Sequence, residues 1–222
     1  MNQTIIYGKR IIAGVVLVLI GLFALRCNNN TPSTINDSPT HGTIHISVDE
    51  SFRPVIEEHI KVYESSFPDT KIIAHYKPEA DCFRDLYRDS ATRMIIVTRG
   101  LNDREEKFFK DTLNYIPVWN DVASDAITIV VNSKSPDTLF TLDHLKQQLT
   151  GGLGKKQTIV FDGLSATSTV RFAVDSILRG EKFDTSVVKA VKNSREVLAY
   201  VASNPDAIGF VGISWIGNPE DT

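Results

Sequence analysis

"TIVFDGLSATSTVRFAVDSILRG", residues 158 to 180, changes its hydrophobic period in mid-course. Its first four residues are apolar or β-branched, as a buried strand requires. Asp162 and Gly163 then supply turn chemistry, and from Val170 onward the apolar positions Val170, Val174, Ile177 and Leu178 share one helical face. Gly180 stands just past the helix end. A strand passed directly to a helix across a polar turn is the repeating unit of an α/β protein.

The turn itself is a candidate site. Ser165, Thr167, Ser168 and Thr169 fall at or just before the helix start, where backbone N–H groups lack intrahelical acceptors and the positive end of the dipole favours an anion. Hydroxyls donate to an anion's oxygens, and Arg171 adds a planar fork suited to a carboxylate or phosphate. An N-cap accounts for one of the hydroxyls. The others weigh toward a site.

The same grammar extends in both directions. "TIHISV" from Thr43 alternates like a strand and precedes a helical "FRPVIEEHIKVYESSF"; "TKIIAHY", "EADCFRDLYRD", "RMIIVTR" and "NDREEKFFKDTL" follow as strand, helix, strand and helix, with Asn102 or Asp103 capping the last. Ala126 to Val131 is a further strand, placed as the connection between two lobes; "LFTLDHLKQQLTGG" is a helix ending at a glycine pair, "SREVLAYVASNP" another, and "AIGFVGISWI" a final strand. The expected architecture is α/β, with mainly parallel sheets flanked by helices and ligands bound beyond the carboxyl ends of the strands. Arg99, placed at the end of "RMIIVTR", and Ser51, in the turn "DESF", occupy that edge. Arg99 either faces a ligand or pairs with carboxylates of the next helix, and Ser51 either caps a helix or faces a ligand.

The first 27 residues differ in kind. Lys9 and Arg10 precede fifteen uncharged residues, Ile11 to Leu25, and Cys27 follows. That is the plan of an export signal, and the apolar run is shorter than the roughly 20 residues of a spanning helix. Cys27 resembles the acylated cysteine of a bacterial lipoprotein, although Arg26 occupies a place where a small residue is usual; a plain signal peptide with a chance cysteine is the alternative. Residues 28 to 42, poor in apolar side chains and rich in turn formers, make a tether.

Several functions are excluded by what the chain lacks. Its 222 residues carry a net charge of −3 spread along the length, so no basic stripe invites nucleic acid. "GGLGKK" lacks the Ser or Thr of a phosphate loop, "DGLSAT" lacks the closing glycine of a nucleophile elbow, and the five histidines are scattered without metal-ligand spacing. No enzyme, cofactor or metal is expected.

From Gly42 to Ile216 the chain resembles the PstS-like phosphate-binding group of periplasmic substrate-binding proteins of ABC transporters. The resemblance rests on "GTIHISVDESFRPVIEEHIKVYESSFP", "VTRGLNDREE", "VASDAITIVVNSKSP", "FTLDHLKQQLTG" and "VLAYVASNPDAIGFVG", in that order. It implies a type II periplasmic-binding-protein fold with lobe 1 at 43–120 and lobe 2, after the crossover strand, at 121–222. It also implies a small oxyanion as ligand, phosphate above all, an inner-membrane ABC permease as partner, and a periplasmic or cell-envelope location through a lipid anchor. The family's S-G-T turn, followed by an arginine and an aromatic, falls on Ser165 and Thr167 or on Ser168 and Thr169, with Arg171 behind them. Arg99 carries over from the S-R motif, and Ser51 with Phe52 from the first loop.

Two departures stand out. "YKPEADC" replaces a glycine- and serine-rich turn, and its Glu79 and Asp81 would repel a dianion unless one accepts a hydrogen bond from a protonated oxygen. The family's C-terminal return to lobe 1 is missing from these 222 residues, which are either a shortened relative or a fragment. Both features favour the rival reading, an envelope binding or scaffolding lipoprotein that keeps the fold without transport.

Overall fold

The computed structural model describes residues 38–217, apart from 116, 154–156 and 164. The apolar segment and Cys27 lie outside the described residues. The last part of the tether is described: Ser38 and His41 form an isolated bridge, the Tyr63 hydroxyl donates to the Pro39 carbonyl, and Gly42 already opens the first strand with φ of 121°.

Two sheets organise the chain. The first has the order β2-β1-β3 and is parallel throughout, built from β1 (Gly42–Asp49), β2 (Thr70–Lys77) and β3 (Thr92–Ile96). Helices α1 (Arg53–Ser66) and α2 (Glu79–Arg88) connect its strands, and α3 (Asp103–Leu113) follows β3. The second sheet has the order β4-β7-β5-β6, with β4 (Ile127–Val131), β5 (Thr158–Phe161), β6 (Val188–Ala190) and β7 (Ala207–Gly212). Helices α4 (Leu142–Leu149), α5 (Ser168–Phe172) and α6 (Ser194–Ser203) cover it. These are the mainly parallel, helix-flanked sheets expected.

The strand expected at 126–131 is formed at Ile127–Val131 and lies at the edge of the second sheet, antiparallel to β7. Two details differ from the sequence reading. The helix expected to run unbroken from Ser168 is α-helical only to Phe172 and then widens into a π turn, Ala173–Leu178, where the Arg179 amide donates to Val174 O at 3.0 Å. The strand of "AIGFVGISWI" ends at Gly212, and a 3₁₀ turn, Ile213–Trp215, follows.

The second sheet holds most of the core. Every residue of β7 is buried, so its alternating side chains serve two faces. Ile208 and Phe210 point to one, where Phe210 stacks on Phe161 at 4.7 Å beside Leu149, Ile177 and Leu178. Ala207 and Val211 join Val160, Val197 and Val201 on the other. Gly209 belongs to that second face because a Cβ there would lie 2.7 Å from Val197 Cγ1 and 2.8 Å from Val130 and Val201. Gly209→Ala therefore overpacks the contact between α6 and β7. We expect a loss of about 1–3 kcal/mol, read as a lower urea midpoint at unchanged slope; an unchanged midpoint would contradict this packing.

Candidate functional site

The carboxyl end of β1 and that of β5 meet where the two sheets touch. β1 ends at Asp49, and its side chain accepts the Ser51 amide at 3.0 Å to cap the 3₁₀ turn Glu50–Phe52. Contacts from the end of β7 and the 3₁₀ turn after it help hold the Glu50–Phe52 turn on the second sheet. The Ser214 hydroxyl donates to the Ser51 carbonyl, Trp215 Nε1 donates to the Glu50 carbonyl at 3.4 Å, and Gly212 leaves room that a Cβ, 3.0 Å from the Ser51 oxygen, would fill.

The hydroxyls around α5 sort into distinct roles. Thr167 is the N-cap: its Oγ1 accepts the Val170 amide at 3.4 Å and lies 3.0 Å from Thr169 Oγ1. Thr169 donates in turn to Asp162. Both face inward. Ser168, equally buried, points across the junction, with its Oγ 3.4 Å from Ser51 Oγ. Ser165 is exposed and Phe52 is half-buried. Of the two registers the resemblance left open, the Ser168 one brings a hydroxyl to the opposite sheet.

Arg171 lies beside this pair and is already engaged. Its Nε donates to Glu79 Oε2 at 2.8 Å, and its Nη2 donates to Glu79 Oε1 at 3.3 Å and to the Thr98 hydroxyl. Glu79 Oε1 also accepts the Thr98 amide at 3.1 Å and the Thr98 hydroxyl. Next to it, the Ala80 amide donates to the Ala166 carbonyl at 3.1 Å, a backbone bond between the two halves. Of the two carboxylates in "KPEAD", Glu79 is the partner of the arginine, and Asp81 pairs with Arg84 at 2.7 Å.

Arg99 takes the second of its two readings. β3 stops at Ile96, which leaves Arg99 in the following loop. There its fork meets both Glu105 oxygens at 2.7 and 2.9 Å, its Nη1 donates to the Gly100 carbonyl, and its face covers the Phe83 ring at 3.8 Å. Glu105 also closes the capping box of α3 with Asn102. The guanidinium is consumed by its own helix.

The residues that sequence reasoning passed over are acidic. Ser194, at the start of α6, donates through its amide (3.2 Å) and hydroxyl (2.7 Å) to Glu50, and its hydroxyl lies 3.5 Å from Asp162 Oδ2. Burial raises Glu50 and Asp162 above the usual carboxylate range, despite the Ser194 donors on the first and the threonine hydroxyls on the second. Asp49 is pushed up to about 7, chiefly by burial and against the pull of the Ser51 amide; its Oδ2 is buried with no hydrogen-bond partner among the described residues. Burial would raise Glu79 as well, but Arg171 and Thr98 outweigh it and hold that carboxyl below the usual range. The junction therefore holds one acid paired to Arg171 and lowered by it, among acids that burial shifts upward.

A family model described as a PBP superfamily domain matches residues 33–222. The chain belongs to the PBP superfamily. Solved structures share the fold of this PBP-superfamily chain at low identity. A substrate-binding protein from Clostridium perfringens, solved with bound phosphate, is 17% identical with a TM-score of 0.68, over 79% of this chain and 72% of that one. An ABC-type phosphate transport receptor from Vibrio cholerae is 20% identical (TM-score 0.53, 79% and 73% covered), and a variant of the OxyR2 regulatory domain from Vibrio vulnificus is 10% identical (0.57, 81% and 77%). No curated protein matches the chain.

The weakened acidity of Asp49 sets a pH dependence for this PBP-superfamily chain. The native state keeps this proton up to about pH 7, whereas the unfolded chain releases it near 3.8. Stability from this group is thus complete below the lower value and is lost as pH rises to the upper one. Asp49→Asn, neutral throughout, should match wild type near pH 4, exceed its melting temperature increasingly up to about pH 7, and hold that margin at pH 8. A constant difference across that range would contradict a buried, protonated Asp49.

Proposed function

We propose that this chain is an exported, membrane-tethered solute-binding protein that captures a small oxyanion, inorganic phosphate by preference, for an ABC-type permease. Residues 43–120 and 121–222 act as two lobes that close over the ligand. The observation that carries the reading is Ser51, from the turn after β1, meeting Ser168, at the start of α5, across 3.4 Å with Arg171 beside them. Hydroxyl donors from opposite halves and a guanidinium are the groups that hold an oxyanion. Asp49, which burial pushes up to about 7, repels an anion less near neutral pH than an ordinary carboxylate would. A protein of the same fold solved with bound phosphate supports the choice of anion. Cys27, carrying lipid, supplies the anchor at the cell envelope. No covalent step is involved.

The buried acids and the pairing of Arg171 with Glu79 favour a second reading, an envelope scaffold or sensor of the same fold that carries nothing to a permease. A thermal-shift series with phosphate, sulfate, molybdate and small carboxylates separates the two. A ligand raises the melting point by mass action, and silence from every anion favours the scaffold. With phosphate as the binder, Ser168→Ala and Arg171→Ala each remove a hydrogen bond to a charged group. Each should weaken affinity by roughly 10- to 150-fold in calorimetry, with the circular dichroism unchanged. Full affinity in both variants would refute the site.

A further inference from the structure

Glu79 is surrounded as a bound anion is surrounded. It is 4% exposed and receives two guanidinium N–H groups, a backbone N–H and a hydroxyl, from Arg171 and Thr98. Arg171 belongs to α5 over the second sheet, and Glu79 and Thr98 to the half built on the first. The carboxylate therefore reaches out of its own half into a fork supplied by the other. Ala80, the next residue, fastens its amide to Ala166 at the turn before that fork, and Ser168 meets Ser51 close by. These contacts gather on one side of the junction, and the turn after β1 makes further ones, from Ser194 to Glu50 and from Ser214 to the Ser51 carbonyl. The other carboxylate near Arg171, Asp175, stands 3.8 Å away with a 61% exposed side chain, so it cannot replace Glu79 as a desolvated partner.

The geometry points to Glu79 as an intramolecular anion that fills the oxyanion site and holds the two halves together before any ligand arrives. An external oxyanion binds by displacing this carboxylate from Arg171 and the Thr98 donors. The site consequently discriminates by competition: an anion succeeds only where its contacts with the fork exceed those of a tethered carboxylate already in place. The inference rests on the reading of this junction as an anion site.

Chemical rescue of the full chain in detergent provides the test, followed by hydrogen–deuterium exchange. In Glu79→Ala without added anion, amides in 78–83 and 165–172 should exchange at least tenfold faster than in wild type, while the core strand 207–211 keeps its protection. Sodium formate or phosphate should restore protection, and sodium chloride at equal ionic strength should not. Glu79→Gln, which keeps the side-chain volume, should give the same opening in milder form should the alanine variant fold poorly. Restoration by formate without phosphate upholds the internal anion and removes phosphate as the ligand. Unchanged exchange in both variants, or an opening that no anion reverses, overturns the proposal.

Discussion

The Glu79–Arg171 ion pair anchors one side of the junction of the two sheets, with the Ser194–Glu50 and Ser214–Ser51 contacts beside it. A carboxylate with 4% exposure stays charged only when its lost hydration is replaced. Arg171 and Thr98 replace it by donating to both oxygens, and Glu79 is held below the usual carboxylate range although burial acts in the opposite sense. Because Thr98 comes from the loop after β3 and Arg171 from α5, meeting this one requirement brings the two halves into register. The Ala80–Ala166 bond and the approach of Ser168 to Ser51 lie within the same contact.

The remaining acids are accommodated differently. Asp162 and Asp49 rely on hydroxyl and amide partners, and Glu50 adds to its Ser194 donors only a distant guanidinium, Arg53 at 3.9 Å; burial pushes all three upward. Desolvation disfavours the charged form of each, so these three carboxyls hold their protons to higher pH than free ones do. Ser51, Ser168 and the start of α5 supply donors on the same side. Net charge alone would have assigned this junction to a cation.

Much of the fold was legible because it is written locally. The β-branched runs at 43–48 and 158–161, the capping box at Asn102 and Glu105, and the apolar face of Val170, Val174, Ile177 and Leu178 each depend on neighbouring residues. β6 escaped notice because three residues, Val188–Ala190, are too short for a period to show. The site was only half legible. A turn with four hydroxyls announces itself, yet which of them faces the opposite sheet is decided by Asp162 and Ser51, outside the helix they cap. Arg99 and Arg171 look alike in sequence; Arg99 has Glu105 six residues away, whereas Arg171 finds Glu79 across a separation of 92 residues. No local signal carries that pairing.

A double-mutant cycle on Glu79 and Arg171, each changed to Gln singly and together, tests this account most directly. Unfolding free energies from urea titration should show the two positions coupled by at least about 1 kcal/mol, with the double variant less destabilised than the sum of the single ones. Additivity within about 0.5 kcal/mol would mean that the bridge does not hold the halves together, and the account would fail at its centre.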